Sequence, residues 1–233
     1  MREALVKEHP CPNKPTSVSL AETASKLRDT LRSGCSALGL DLTQQQESAL
    51  LGYLELLHKW NRAYNLSAVR DIEQMVVRHL LDSLAVADYI AGPRVVDVGT
   101  GAGLPGVPLA IVKPQVQFSL LDSNGKKARF LFQVKRILSL DNMRVHQQRV
   151  QDFQPPEPVD AITSRAFASL SDMVAACGHI LANKGRFLAM KGCYPEQELT
   201  RLGPQYRVLA VHSLSVPGLQ EQRHLVEIAG NGE

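Results

Sequence analysis

Residues 94–108 read Arg94-Val-Val-Asp97-Val-Gly99-Thr-Gly101-Ala-Gly103-Leu104-Pro105-Gly106-Val-Pro108. A short apolar run ending in an acid, then spaced glycines, then an apolar segment, predicts a buried strand, a tight turn and a helix through about Val112. Glycine tolerates positive φ and lets a backbone approach a ligand where a Cβ would clash. Pro105 and Pro108 suit the first turn of the following helix, whose early N–H groups have no intrahelical partner.

Working outward, Gln117 to Leu121 predicts a second strand ending at Asp122, and Lys126 to Leu138 the next helix. Strands are expected at Met143 to His146, Asp160 to Thr163, Arg186 to Met190, Tyr206 to Ser213 and His224 to Ile228. A helix from about Leu170 to Leu181 separates the fourth strand from the fifth. Strands alternating with helices imply an α/β fold with a mostly parallel seven-stranded sheet covered on both faces. The last two strands, divided by Pro217-Gly218, form an antiparallel hairpin at its edge. Upstream the pattern is helical. Leu20, Ala24, Leu27 and Leu31 recur at helical spacing until Gly34; Thr43 with Gln46 makes a capping box for a second helix running toward Trp60. A third helix spans about Asp71 to Tyr89 and stops before Gly92-Pro93. Residues 1–16 read as a mobile tail, 17–92 as a helical extension and 93–233 as the α/β domain.

The chain of 233 residues is 44% hydrophobic and 21% charged, with net charge +3, the balance of a globular protein with a core of its own. Cys11, Cys35, Cys177 and Cys193 form no CxxC pair, so neither a disulfide framework nor a zinc site is expected, and a reducing cytoplasm fits. No signal peptide or membrane-length apolar run stands out. Basic residues concentrate between Asn124 and Val150, with Lys126, Lys127, Arg129, Lys135, Arg136, Arg144 and Arg149 against Asp141 alone. That segment is either a basic contact face or a solvated helix surface.

The glycine turn alone fits two cofactors, because Gly101-x-Gly103-x-x-Gly106 also satisfies the dinucleotide fingerprint. Asp97 tips the choice. A carboxylate there repels a pyrophosphate but suits the cationic amino group and sulfonium of S-adenosylmethionine. Asp122, at the end of the second strand, places an acceptor for two ribose hydroxyls, which serves either cofactor.

From Tyr64 onward the chain resembles the RsmG family, also called GidB, bacterial methyltransferases that modify N7 of a guanine in the decoding-site region of 16S rRNA. The resemblance rests on Tyr64-Asn65-Leu66-Ser67-Ala68-Val69, Arg78-His79 with Asp82-Ser83-Leu84, the Asp97–Pro108 loop, Asp122-Ser123 with Gly125-Lys126-Lys127, Ser164 to Leu170, Met190-Lys191-Gly192 and Arg223-His224-Leu225, in that order. It implies a Rossmann-like class I methyltransferase domain. It implies cofactor contacts at Gly99 and Leu104, at Val150 and Gln151 beside the adenine, and at Arg165 after the fourth strand. Relatives often carry Glu where Gln151 stands; an amide oxygen still accepts from the adenine amino group. Lys191, Arg223, Lys126 and Lys127 are candidates for RNA contact, and His79 is read as a packing residue.

Guanine N7 offers an in-plane lone pair and no proton, so the implied chemistry needs no general base and no metal. Arg165, whose guanidinium can bond guanine O6 or the cofactor carboxylate, is the candidate catalytic residue. The expected partner is 16S rRNA or the small ribosomal subunit, an assembly intermediate included, and the expected state is a monomer with no membrane attachment. A methyltransferase of a small molecule or protein, a non-catalytic RNA-binding module on the same fold, and a nicotinamide enzyme remain open at the level of sequence.

Overall fold

The computed structural model describes residues 20–165 and 167–230. The 1–16 tail, with Cys11, lies outside the described residues. Seven strands form one sheet: β1 (Arg94–Val98), β2 (Gln117–Leu121), β3 (Met143–His146), β4 (Val159–Ser164), β5 (Leu181–Lys191), β6 (Tyr206–Ser213) and β7 (His224–Gly230), in the order β3-β2-β1-β4-β5-β7-β6. Strands β1 to β5 pair in parallel, while β7 runs antiparallel to both β5 and the outermost β6. The hairpin thus closes one edge, as the paired run of strands in the sequence implied. Strand order reverses at β1 and β4, and the crevice beyond their carboxyl ends is where open α/β sheets hold ligands.

Eight α-helical segments accompany the sheet: α1 (Leu20–Ala37), α2 (Gln44–Tyr64), α3 (Ile72–Met75), α4 (Asp82–Leu84), α5 (Gly106–Val112), α6 (Gly125–Leu138), α7 (Leu170–Cys177) and α8 (Glu196–Leu199). The capping box at Thr43 and Gln46 is formed, and it starts α2. Asn65 ends that helix in the left-handed conformation at φ 51°, a state asparagine tolerates better than most residues. Its side chain also accepts from Arg70.

Three boundaries depart from the sequence reading. Helix α1 runs past Gly34 to Ala37; a Cβ at Gly34 would fall 2.4 Å from the Leu81 side chain. That glycine therefore permits a close helix approach, and the turn comes later, at Gly39 with φ 73°. The single helix expected over 71–89 is interrupted. A π-helical stretch, Val76–Leu81, joins α3 to α4, and a 3-10 turn follows at Ala87–Tyr89. No periodicity announces such an insertion. Finally, α7 stops at Cys177, and β5 starts at Leu181 instead of Arg186. The exposed Asn183 and Lys184 hide the beginning of that strand from a hydrophobic pattern.

The two sheet faces are covered unequally. On one, Leu27, Leu31, Leu50, Leu54, Leu57, Met75, Leu80 and Leu84 from the upstream helices form one buried cluster with Val95, Phe118, Leu188 and Leu225 of the strands. On the other, α7 packs Met173, Val174 and Cys177 against Val96, Ile162, Phe187 and Ile228. Among the described residues no helix is long and apolar enough to cross a membrane.

Candidate active site

The crevice is assembled around Asp97. On β1 the residues alternate: Val96 and Val98 face α7, while Val95 and Asp97 face the upstream helices. Asp97 is therefore fully buried. Its Oδ2 accepts from the Thr100 hydroxyl (2.6 Å) and from Gly106 N–H (2.8 Å), tying the turn to the start of α5. Its Oδ1 is buried with no partner among the described residues. Burial lifts the carboxyl from 3.8 to about 7, opposed by the Thr100 and Gly106 bonds and by the charge of Arg165. Thr163, register partner of Asp97 on β4, adds a buried hydroxyl that also lacks a partner among the described residues.

The glycines divide the work. Gly99, Gly101 and Gly103 take φ of 65°, 62° and 97°, which any other residue adopts at a cost. At Gly103 a Cβ would meet Val107 at 2.5 Å, and at Gly106 it would meet Asp97 at 2.7 Å, so those two serve packing. Gly101 is different: a Cβ there would find only the Gly99 carbonyl at 3.9 Å and Lys127 Nζ at 4.0 Å. The open side of the turn lies at Gly101. Asp122 braces it, with Oδ2 accepting from Gly101 N–H (2.9 Å) and Oδ1 from Asn124 N–H (2.9 Å). From above, the Tyr53 hydroxyl of α2 donates to the Ala102 carbonyl at 2.9 Å. An upstream helix therefore forms part of the turn's support.

Leu104 follows the turn, half-buried against the upstream cluster. Val150 is buried on the 3-10 turn Val150–Asp152 after β3, beside Leu121, and Gln151 is exposed. Lys127 folds inward to Asp122 at 3.3 Å, whereas its neighbour Lys126 is exposed. Lys191, at the end of β5, pairs with Glu198 of α8 at 2.7 Å and is 12% exposed, so its charge is already answered within the chain. His79 is buried, its Nε2 is 2.8 Å from the Ser67 hydroxyl, and burial pushes its imidazole below the ordinary value. Its Nδ1 is buried with no partner among the described residues.

Arg165 leaves β4 toward the upstream helices. Its Nη2 lies 3.2 Å from Asp82 Oδ2, and its Nη1 is buried with no partner among the described residues. Arg223 reaches the other oxygen of the same carboxylate, Nε to Oδ1 at 2.9 Å. Asp82 is 1% exposed. These three residues, with Met190, Lys191 and Gly192, line a cavity of about 230 Å³. Removing one member of a buried ion pair costs ~3–5 kcal/mol, so Asp82 is a structural commitment as well as a feature of the site.

Residues 46–226 match the family model GidB, described as rRNA small subunit methyltransferase G. The chain belongs to that family. It is 50% identical over 211 residues to the ribosomal RNA small subunit methyltransferase G of Saccharophagus degradans, covering 91% of this chain and 95% of that protein. It is 52% identical over 193 residues to the protein of the same name from Escherichia coli strain K12, covering 83% and 93%. Among solved structures it resembles the glycopeptide N-methyltransferase MtfA in complex with S-adenosyl-L-methionine, with a TM-score of 0.57 over 66% of this chain and 88% of that one, at 12% identity. TrmN from Thermus thermophilus matches with a TM-score of 0.50 and 17% identity, over 73% of this chain and 53% of that one. At those identities the likeness concerns the fold alone: a Rossmann-like methyltransferase sheet.

For this family member the sequence reading named the turn, Asp97, Asp122 and Arg165 as candidates, but gave Asp82 and Tyr53 no role at the site. Asp82 had a signal, an acid inside the apolar run Leu80-Leu81-Asp82-Ser83-Leu84. A charge amid a buried stretch needs a partner, yet Arg223 lies 141 residues away. Tyr53 had none, since it reads as one more core position of an amphipathic helix.

Proposed function

We propose that this chain is a cytoplasmic, monomeric enzyme that methylates N7 of a guanine in the decoding-site region of 16S rRNA, with S-adenosylmethionine as the methyl donor. The observation that carries the reading is the buried, unpartnered Oδ1 of Asp97, whose other oxygen binds Thr100 and Gly106 at the two ends of the glycine turn. A buried carboxylate oxygen without a partner is costly, and a cationic ligand group repays it. When bound, S-adenosylmethionine supplies a methyl group made electrophilic by its sulfonium.

The residues present fit that ligand. Asp97 faces the cationic amino group, and Gly99, Gly101 and Leu104 border the chain that carries it. Asp122 reads the ribose hydroxyls, the Lys127 contact being the longest of its three and the one that gives way. Val150 and Gln151 border the adenine, the Gln151 amide oxygen accepting from the exocyclic amine. Arg165 offers Nη1 to a carboxylate or to guanine O6. Since N7 carries a lone pair and no proton, the protein's share of catalysis is alignment and electrostatics. RNA phosphates meet the exposed cations of α6, Lys126 among them. Lys191 and Arg223, bound to Glu198 and Asp82, shape the cavity beside the base, and phosphate contact by either requires exchanging an acid for the RNA.

The test is transfer of tritiated methyl to isolated 16S rRNA, to small subunits and to total protein, followed by nuclease digestion and mass spectrometry. Label is expected in 7-methylguanine from the RNA or the particle, and Arg165→Ala is expected to abolish it while keeping the fold. Label in protein or in small molecules would overturn the substrate; full turnover by folded Arg165→Ala would remove that residue from the site.

A further inference from the structure

Two groups of opposite charge near the turn do not pair with each other. Asp97 Oδ1 is an acceptor and Arg165 Nη1 a donor, each buried and each without a partner among the described residues. Arg165 lies two residues beyond Thr163, the register partner of Asp97 on β4, so the two side chains share one side of the sheet, and the Arg165 charge acts on the Asp97 carboxyl. With Asp82 removed, the Arg165 guanidinium would lose its acid partner, and the buried Asp97 carboxylate on the same face of the sheet is the charge left for it to seek. What stands against that pairing is Asp82. Its carboxylate takes Nη2 of Arg165 at 3.2 Å and Nε of Arg223 at 2.9 Å. The backbone that carries it is stiffly set: Asp82 follows the π-helical stretch, whose Leu81 packs against α1 where only a glycine fits. Arg223, at the approach to β7, fills the second oxygen of Asp82 and fixes the plane of the carboxylate.

We propose that Asp82 is a positioning residue: by pairing with Arg165 it keeps that guanidinium from closing onto Asp97, and so keeps both the Arg165 donor and the Asp97 acceptor open to the bound cofactor. The proposal rests on the assignment of S-adenosylmethionine to this crevice. It differs from a packing role for Asp82 in one respect. Without Asp82, Arg165 is no longer a binding group but the ligand's competitor for Asp97, and deleting it then helps.

Calorimetric titration with S-adenosylhomocysteine tests this, with melting curves to establish that each variant is folded. Loss of one charge-assisted contact, as in Arg165→Ala, is expected to weaken binding about tenfold. Asp82→Asn loses both the donor and the acceptor and is expected to bind more weakly than Arg165→Ala. The double variant Asp82→Asn with Arg165→Ala is expected to recover to the Arg165→Ala level, because Asp97 is open again. A structural role alone produces no such recovery. Folded Asp82→Asn with unchanged affinity, or a double variant no better than Asp82→Asn, overturns the proposal. If Asp82→Asn does not fold, Asp82→Ser carries the same comparison, since it too removes the charge that holds Arg165. Unchanged affinity of folded Asp82→Ser, or no recovery on adding Arg165→Ala, overturns the proposal equally. Failure of the wild-type protein to bind S-adenosylhomocysteine would instead overturn the cofactor reading.

Discussion

Burial raises the Asp97 carboxyl from 3.8 to about 7, against the pull of Thr100, Gly106 and Arg165. Between those two values the folded protein holds a proton that the unfolded chain has lost, so stability falls as pH rises through that window. The ligand-free protein is therefore expected to melt at progressively lower temperature from about pH 4 toward about pH 7, and Asp97→Asn to remove that component of the slope. Calorimetry across the range checks it; a slope unchanged in the variant would remove Asp97 as its source. Binding runs the other way. A ligand ammonium group prefers the ionised carboxylate, so affinity for S-adenosylhomocysteine is expected to rise as pH passes through about 7. Asp97 was legible in the sequence because strand, acid and glycines are adjacent in the chain. Asp82 was not, because its meaning lies in two arginines that the chain brings to it from far away.

At the scale of elements, α6 is the part most directly suited to RNA. It contains five cations and no acid. Two turn inward, Lys127 to Asp122 and Lys135 to the Met143 carbonyl. Lys126, Arg129 and Arg136 stay exposed, with no acid partner among the described residues, and Phe132 between them is 51% exposed. Cations spaced along one helix face with an exposed ring offer phosphate contacts and a stacking surface. Lys126→Ala with Arg129→Ala is expected to weaken RNA binding at all sequences and to reduce the salt slope by about 1 per residue, with cofactor affinity unchanged. Filter binding across a salt series measures it, and an unchanged slope would move the RNA elsewhere. The sequence showed how many cations α6 carries; only its orientation, set by burying Ala128, Phe130, Leu131 and Val134, decides which of them face outward.

For the molecule as a whole, the upstream helices and the sheet share a core. Leu50, Leu54, Leu57, Leu80 and Leu84 are at most 1% exposed, in the same cluster as Phe118 and Leu188. Each large apolar side chain uncovered from such a core costs ~1.5–3 kcal/mol, while a domain's whole stability is only ~5–15 kcal/mol. A fragment spanning 93–233 is accordingly expected not to fold by itself, despite the change of pattern at Gly92-Pro93. Amide dispersion in a two-dimensional NMR spectrum tests this; a well-dispersed, cooperatively melting fragment would show the extension to be dispensable for folding.

The glycine turn, its two flanking acids, the seven strands in order and the family resemblance all follow from residues close together in the chain, where local periodicity and backbone restriction act. Tertiary structure decided the rest. It placed Tyr53 over the turn, split the third helix with a π-helical stretch, directed Lys127 and Lys191 to internal acids and brought Asp82 between Arg165 and Arg223. Each of these depends on which face an element buries and on partners distant in sequence. Charge pairing in a buried crevice is a property of the packed molecule, not of any one segment.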